Sequence, residues 1–157
     1  MTTKDAKNPH ELVIERIIGA PREKLFRCWT EPELMKLWFC PKPWRVSEAK
    51  LDLRAGGASY IVMNGPDGEV MPNRGQYLEV KKNELIVFTD AYVGDWVASE
   101  KPFFTGIVRF EDLGGKTKYT AIARHWNAED SAAHEKMGFH DGWGKAADQM
   151  EELAKTL

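Results

Sequence analysis

Apolar and polar positions along this chain change their period twice. Residues 11–18 alternate as a strand does, with Leu12, Ile14 and Arg16 on one face and Val13 and Ile17 on the other. Gly19-Ala20-Pro21 ends that strand, and Pro21 suits the first turn of a helix. Leu25, Phe26, Cys28 and Trp29 follow at helical spacings of three and four. Thr30 is placed to cap a second, short helix, with Pro32 near its first turn and Glu33 three residues on, as in a capping box. Leu34, Leu37 and Trp38 form its apolar side, and Pro41 and Pro43 stop it.

From Trp44 the period shortens to two. Six strands are expected, over residues 44–53, 58–63, 70–80, 85–91, 105–111 and 116–125. Turns are expected at Gly56-Gly57, Pro66-Asp67-Gly68, Lys81-Lys82-Asn83 and Gly114-Gly115, where glycine or asparagine tolerates positive φ. Residues 92–103 are long for a hairpin loop and hold Tyr92, Trp96 and Phe103. The expectation is either a lid over an opening or a loop packed on the sheet edge.

The period then lengthens again. Residues 128–157 read as one long helix, capped by Asn127, with Glu129 and Asp130 at its positive end. Phe139, Trp143, Ala146, Ala147, Met150, Leu153, Ala154 and Leu157 share one arc, and Asp141, Lys145, Asp148, Glu152 and Lys155 the other. Gly138, Gly142 and Gly144 each weaken a helix interior by ~1 kcal/mol relative to Ala, so a kink or close packing should explain them. One strand, two helices, six strands and a helix predict an α+β fold, with an antiparallel sheet curled around the terminal helix.

Composition narrows the function classes. The 157 residues carry a formal net charge of -2. No basic face is evident, which argues against nucleic acid as a partner. No apolar run approaches the ~18 residues of a membrane span. The polar first residues lack the apolar segment of a signal peptide, so a cytoplasmic location is expected. Residues 1–10 read as a flexible tail and 11–157 as a single domain. Cys28 and Cys40 are expected as free thiols in a reduced compartment.

Candidate chemistry is sparse. His134 and His140, six apart, do not share a helix face, and no metal site or cofactor is expected. His125 and His140 could each reach a cavity as a hydrogen-bonding group, or lie at the surface. Neither cysteine has a sequence-local base to activate it. Glu48 and Asp52 read as a solvated strand face. What stands out is aromatic content at element ends. The candidate ligand-binding residues are Trp38, Trp44, Tyr60, Phe88, Trp96, Trp126, Phe139, Trp143 and Met150, with Phe39 beside them.

The order of elements carries a recurring set of words: Ala20-Pro21, then Phe26, Trp29, Thr30 and Pro32, then Leu37-Trp38 and Pro41. Gly56-Gly57, Pro66-Asp67-Gly68, Gly75-Gln76-Tyr77 with Glu79, Gly138-Phe139 and Gly142-Trp143 complete it. In this order the chain resembles the C-terminal-domain family of heat-shock protein 90 ATPase activator homologues, within the START and pollen-allergen-like polyketide cyclase superfamily. The resemblance implies a helix-grip fold and, as in much of that superfamily, an apolar ligand held between sheet and helix. It departs at Phe39 and Cys40, where relatives often have Trp and Gly. Relatives among the eukaryotic co-chaperones carry a further N-terminal domain, for which 157 residues leave no room. The expected function is non-enzymatic binding of a small apolar or amphipathic molecule. A protein-interaction or stress-response module, with a chaperone or other protein as partner, is the first alternative. A cyclase-like or hydratase-like enzyme is the second.

Overall fold

A computed structural model describes residues 10–157. The expected tail therefore lies outside the described residues except for His10, which is anchored: its carbonyl accepts from the backbone N–H of His125 at 2.9 Å.

The elements run β1 (Glu11–Ile18), α1 (Arg22–Thr30), α2 (Pro32–Met35), β2 (Arg45–Leu51), β3 (Ala58–Asn64), β4 (Val70–Lys81), β5 (Leu85–Thr89), β6 (Phe104–Asp112), β7 (Thr117–His125), α3 (Ala128–Lys136) and α4 (Phe139–Ala154). The strands form one antiparallel sheet in the order β1-β7-β6-β5-β4-β3-β2. This is the α+β arrangement that the period changes predict and the helix-grip fold that the family resemblance implies. The expected turns hold, with Asn83 at φ 64°, and Gly114 and Gly115 at φ 74° and 91°.

Two local expectations are corrected. Thr30 does not cap α2: its hydroxyl donates back to the Phe26 carbonyl at 2.8 Å, and Glu31 occupies the cap position without a side-chain capping bond, its carboxylate accepting from Arg27 instead. The terminal segment is two helices rather than one. α3 starts as expected, with Asn127 Oδ1 accepting from the Asp130 amide at 2.8 Å. It ends at Met137, because Gly138 takes φ 96°. That left-handed residue closes α3 through its N–H to the Glu135 carbonyl, and its own carbonyl accepts from Gly142 to start α4. A side chain at Gly138 would meet no atom within 4 Å, so the backbone dihedral, not space, requires glycine.

The sheet's two faces separate by register. Tyr119, Ala121, Ala123 and His125 of β7 align with Phe110, Val108, Gly106 and Phe104 of β6. These continue to Ile86 and Phe88 of β5 and Tyr77 of β4, and this inner face looks toward the helices. α4 packs against α1 and β1, and α2 packs against β2. Phe139, Ala146, Ala147, Met150 and Ala154 of α4 are buried, so the apolar stripe does meet the core. Gln149 ties the helices together. Its amide donates to the carbonyls of Trp38 and Cys40 at 3.0 and 2.9 Å, and its oxygen accepts from the Lys42 amide at 3.1 Å.

Candidate functional site

Because α4 sits over β1 and α1, the inner face toward β2–β5 is less completely covered. Phe39, Leu51, Leu53, Met63, Phe88, Phe104 and Trp143 pack on the core yet stay half-buried. The aromatics among them belong to one continuous run of rings. Trp38 meets Trp29 at 5.2 Å between centroids, Trp29 meets Phe39 at 5.7 Å and Phe88 at 5.8 Å, and Phe88 meets Phe104 at 6.0 Å. Phe104 meets Trp143 at 6.1 Å, and Trp143 meets Phe139 at 4.9 Å. Edge-on and tilted contacts at these separations are the favourable ones for aromatic quadrupoles.

Buried hydrogen bonds fix the base of the wall. Trp29 Nε1 donates to the Tyr119 hydroxyl at 3.2 Å, and Trp38 Nε1 donates to the Cys28 carbonyl at 2.9 Å. Gly106 lies opposite Phe88 on the neighbouring strand, and a Cβ there would fall within 2.7 Å of the Phe88 ring. The missing side chain lets that ring lie across β6.

At the α3 end the wall meets two buried imidazoles. His125 Nδ1 lies 2.8 Å from the His10 carbonyl, and His125 Nε2 lies 2.8 Å from His134 Nδ1. His134 is ringed by Phe103 and Phe104, both at 5.2 Å, Phe139 at 5.1 Å and Trp143 at 6.3 Å. Asp90 holds the first two rings in place, its Oδ1 accepting from the Phe103 and Phe104 amides at 2.8 and 3.2 Å. Burial pushes the Asp90 carboxyl above its usual range. Burial, followed by the neighbouring His125, pulls His134 down to about 4. His134 is therefore neutral near pH 7.

Sequence, fold and known proteins agree on descent. Residues 19–155 match the family described as Activator of Hsp90 ATPase homolog 1-like protein. The chain belongs to that family. A crystal structure of a protein from Nitrosomonas europaea is 39% identical over 97% of both chains, with a TM-score of 0.91. A Mycobacterium smegmatis protein superposes with a TM-score of 0.77 at 24% identity, over 91% of this chain and 89% of its own. An AHSA1-like protein from Aeromonas hydrophila does so with a TM-score of 0.71 at 18% identity, over 93% and 92%. The last two likenesses speak to fold alone. No curated protein matches the chain.

In this member of the Activator of Hsp90 ATPase homolog 1-like family, the nine candidate residues separate into three groups. Trp38, Phe139 and Met150 are buried in the core. Trp44, Phe88 and Trp143 are half-buried and packed on it. Tyr60, Trp96 and Trp126 are not brought to the inner face. Tyr60 pairs with Lys50 and Arg74 and points outward, where Arg74 lies 4.3 Å above its ring. It borders a shallow outer concavity with Glu48, Lys50 and Asp52. Trp96 is 56% exposed, its backbone N–H donates to Gln76 Oε1 at 2.8 Å, and the preceding amide of Asp95 donates to the Gly56 carbonyl. The 92–103 loop thus folds toward the Gly56 turn, away from the inner wall, and only its last residue, Phe103, reaches the aromatic run. Trp126 is 51% exposed beyond the end of β7.

Residues outside the nine candidates complete the site: Trp29 and Phe103, placed by the sequence but not as ligand-binding, Phe104, and His125 in a pair with His134 that spacing did not reveal. Phe39, at the family departure, fills its position edge-on to both Trp29 and Trp38. Both cysteines are free and buried, and burial pushes Cys28 up to about 12 and Cys40 up to about 11, so neither is a thiolate nucleophile. Among the described residues no group of three or more His, Cys, Asp or Glu could hold a metal ion, and no helix is long and apolar enough to cross a membrane.

Proposed function

We propose that this protein binds a small apolar or amphipathic molecule against the aromatic inner face of the sheet, and that it does so without catalysis. One observation carries the reading: a contiguous run of rings between the sheet's inner face and the helices includes half-buried members, Phe88 and Phe104 on strands, Phe39 after α2 and Trp143 on α4. A ring system of indole size buries ~200 Å² against such a wall. At ~25 cal/mol per Å² that contributes about 5 kcal/mol before the loss of translational and rotational freedom. Binding is then modest in affinity and selective for flat molecules.

The test is fluorescence titration with an environment-sensitive naphthalene dye. Trp143→Ala and Phe88→Ala should weaken dye binding about tenfold or more, while Tyr60→Ala on the outer face should leave it unchanged. Absence of saturable binding, or an equal loss with Tyr60→Ala, would overturn the reading. Native mass spectrometry of protein purified directly from cells then identifies the retained molecule by mass.

A further inference from the structure

The two buried imidazoles have a fixed direction. A carbonyl oxygen can only accept, so the contact between the His10 carbonyl and His125 Nδ1 places a proton on that nitrogen. In neutral His125 the other nitrogen, Nε2, is then an acceptor. The 2.8 Å contact from Nε2 to His134 Nδ1 therefore requires the proton on His134 Nδ1. This leaves His134 Nε2 as a lone pair at the end of the relay. Among the described residues it makes no hydrogen bond, and it is not one of the unpartnered side-chain atoms sealed from solvent.

The surroundings of that lone pair are aromatic. Of the rings around His134, Phe139 and His125 are buried, whereas Phe103, Phe104 and Trp143 are half-buried. Two of these three incompletely buried rings, Phe104 and Trp143, are also the α3 end of the proposed binding wall. No lysine or arginine is hydrogen-bonded or ion-paired to any of these rings among the described residues.

We propose that His134 Nε2 is the polar anchor of the groove, and that its ligand is a flat aromatic or conjugated molecule bearing a weakly acidic hydroxyl, a phenol or an enol. The inference rests on the binding reading above and adds the ligand's chemical class. A neutral acceptor selects a donor. A carboxylate or phosphate would meet a lone pair with no cation to balance it, and a plain hydrocarbon would leave the lone pair buried without a partner. An ether of the same shape lacks the proton and suffers the same fault. His125 acts at one remove, as a positioning residue whose bond to the His10 carbonyl keeps the lone pair at Nε2 of His134.

The experiment compares 1-naphthol with 1-methoxynaphthalene by titration against the intact protein and against His134→Phe, which keeps a ring in the aromatic box. One hydrogen bond in a largely dry site corresponds to about a tenfold preference for naphthol in the wild type. The preference should vanish in His134→Phe, while methoxynaphthalene binding persists. Equal affinity of the wild type for the two probes, or an undiminished preference in the variant, overturns the anchor and leaves the binding wall standing. Failure of both probes to bind removes the wall, and the anchor with it. Should the variant not fold, ¹⁵N NMR of the wild-type imidazoles decides. His134 must show a protonated Nδ1 and an unprotonated Nε2 whose resonance shifts on adding naphthol but not the ether. The opposite tautomer overturns the proposal.

Discussion

The inner face of one sheet is finished in two different ways. Toward β1 and β7, Ala121, Ala123, Tyr119 and Ile18 are at most 2% exposed beneath the helices. Toward β2–β5, Leu51, Met63 and Phe88 stay half-buried under the same set of helices. Both regions are apolar, so hydrophobicity does not distinguish them. Size does. On the covered side α4 approaches β1: its buried face carries Gly144, Ala146 and Ala147, and a Cβ added at Gly144 would run into the Arg16 guanidinium of β1. The less covered side presents large rings with no such counterpart above them. The incomplete cover here is a matter of where the covering helix can fit.

This contrast can be attacked at several strengths. The largest effect belongs to the sealed region. Phe139, 2% exposed, should cost ~3–5 kcal/mol when replaced by alanine, measured by urea denaturation. A cost below about 1 kcal/mol would erase the distinction between sealed and open.

Acid should attack the junction between the two regions next. His134 stays neutral in the fold until about pH 4 but protonates near 6.5 when unfolded. Below 6.5 the unfolded chain binds the extra proton, so the contribution of neutral burial is complete above pH 6.5 and is lost as pH falls toward 4. The expected loss is ~3 kcal/mol across that window, and His134→Phe should remove this component from the stability–pH profile. A wild-type profile that is flat between pH 6.5 and 4 would contradict the burial of a neutral imidazole.

Trp143→Ala sharpens the comparison from the open side. Its ring is only half-buried, so the stability cost should be roughly 1–2 kcal/mol, while dye affinity falls much further. A large stability loss with unchanged dye binding would make Trp143 a core residue like Phe139. The smallest effect is expected at Trp96. Held against the Gly56 turn, it should change neither dye affinity nor the stopped-flow rate constants when replaced by glycine, and any change in those rates would place the 92–103 loop over the groove after all.

The elements were legible in the sequence because each obeys a local rule. Seven strands follow from alternation bounded by turn residues, and Asn127 caps α3 as its position demands. The break at Gly138 was legible as an unusual glycine but not as a helix end, although His134, Lys136 and then Gly138 form a C-terminal signal. Tyr60 was ambiguous for a different reason. Tyr60, Ile61, Val62 and Met63 are apolar on both parities, so alternation does not say which pair faces the helices. That answer comes from pairing with β2 and β4, and both partners carry irregular register, between Val46 and Glu48 and between Tyr77 and Glu79. His125 was legible as a hydrogen-bonding group at a strand end, but its pairing with His134 was not. The two lie nine residues apart across a strand end, a turn and a helix, and only the angle at which α3 leaves β7 brings their nitrogens to 2.8 Å.

The strand order also sets a timetable. β1 is the first strand made, yet its only neighbour in the sheet is β7, the last, with Glu11 opposite Arg124 and their side chains bonded 113 positions apart. While β2 through β6 zip up as successive neighbours, the opening strand has no edge to join. During synthesis it must wait until nearly the whole chain has emerged. Closing so long a loop is the step that slows folding, so the rate of reaching the native state should be governed at the β1–β7 seam.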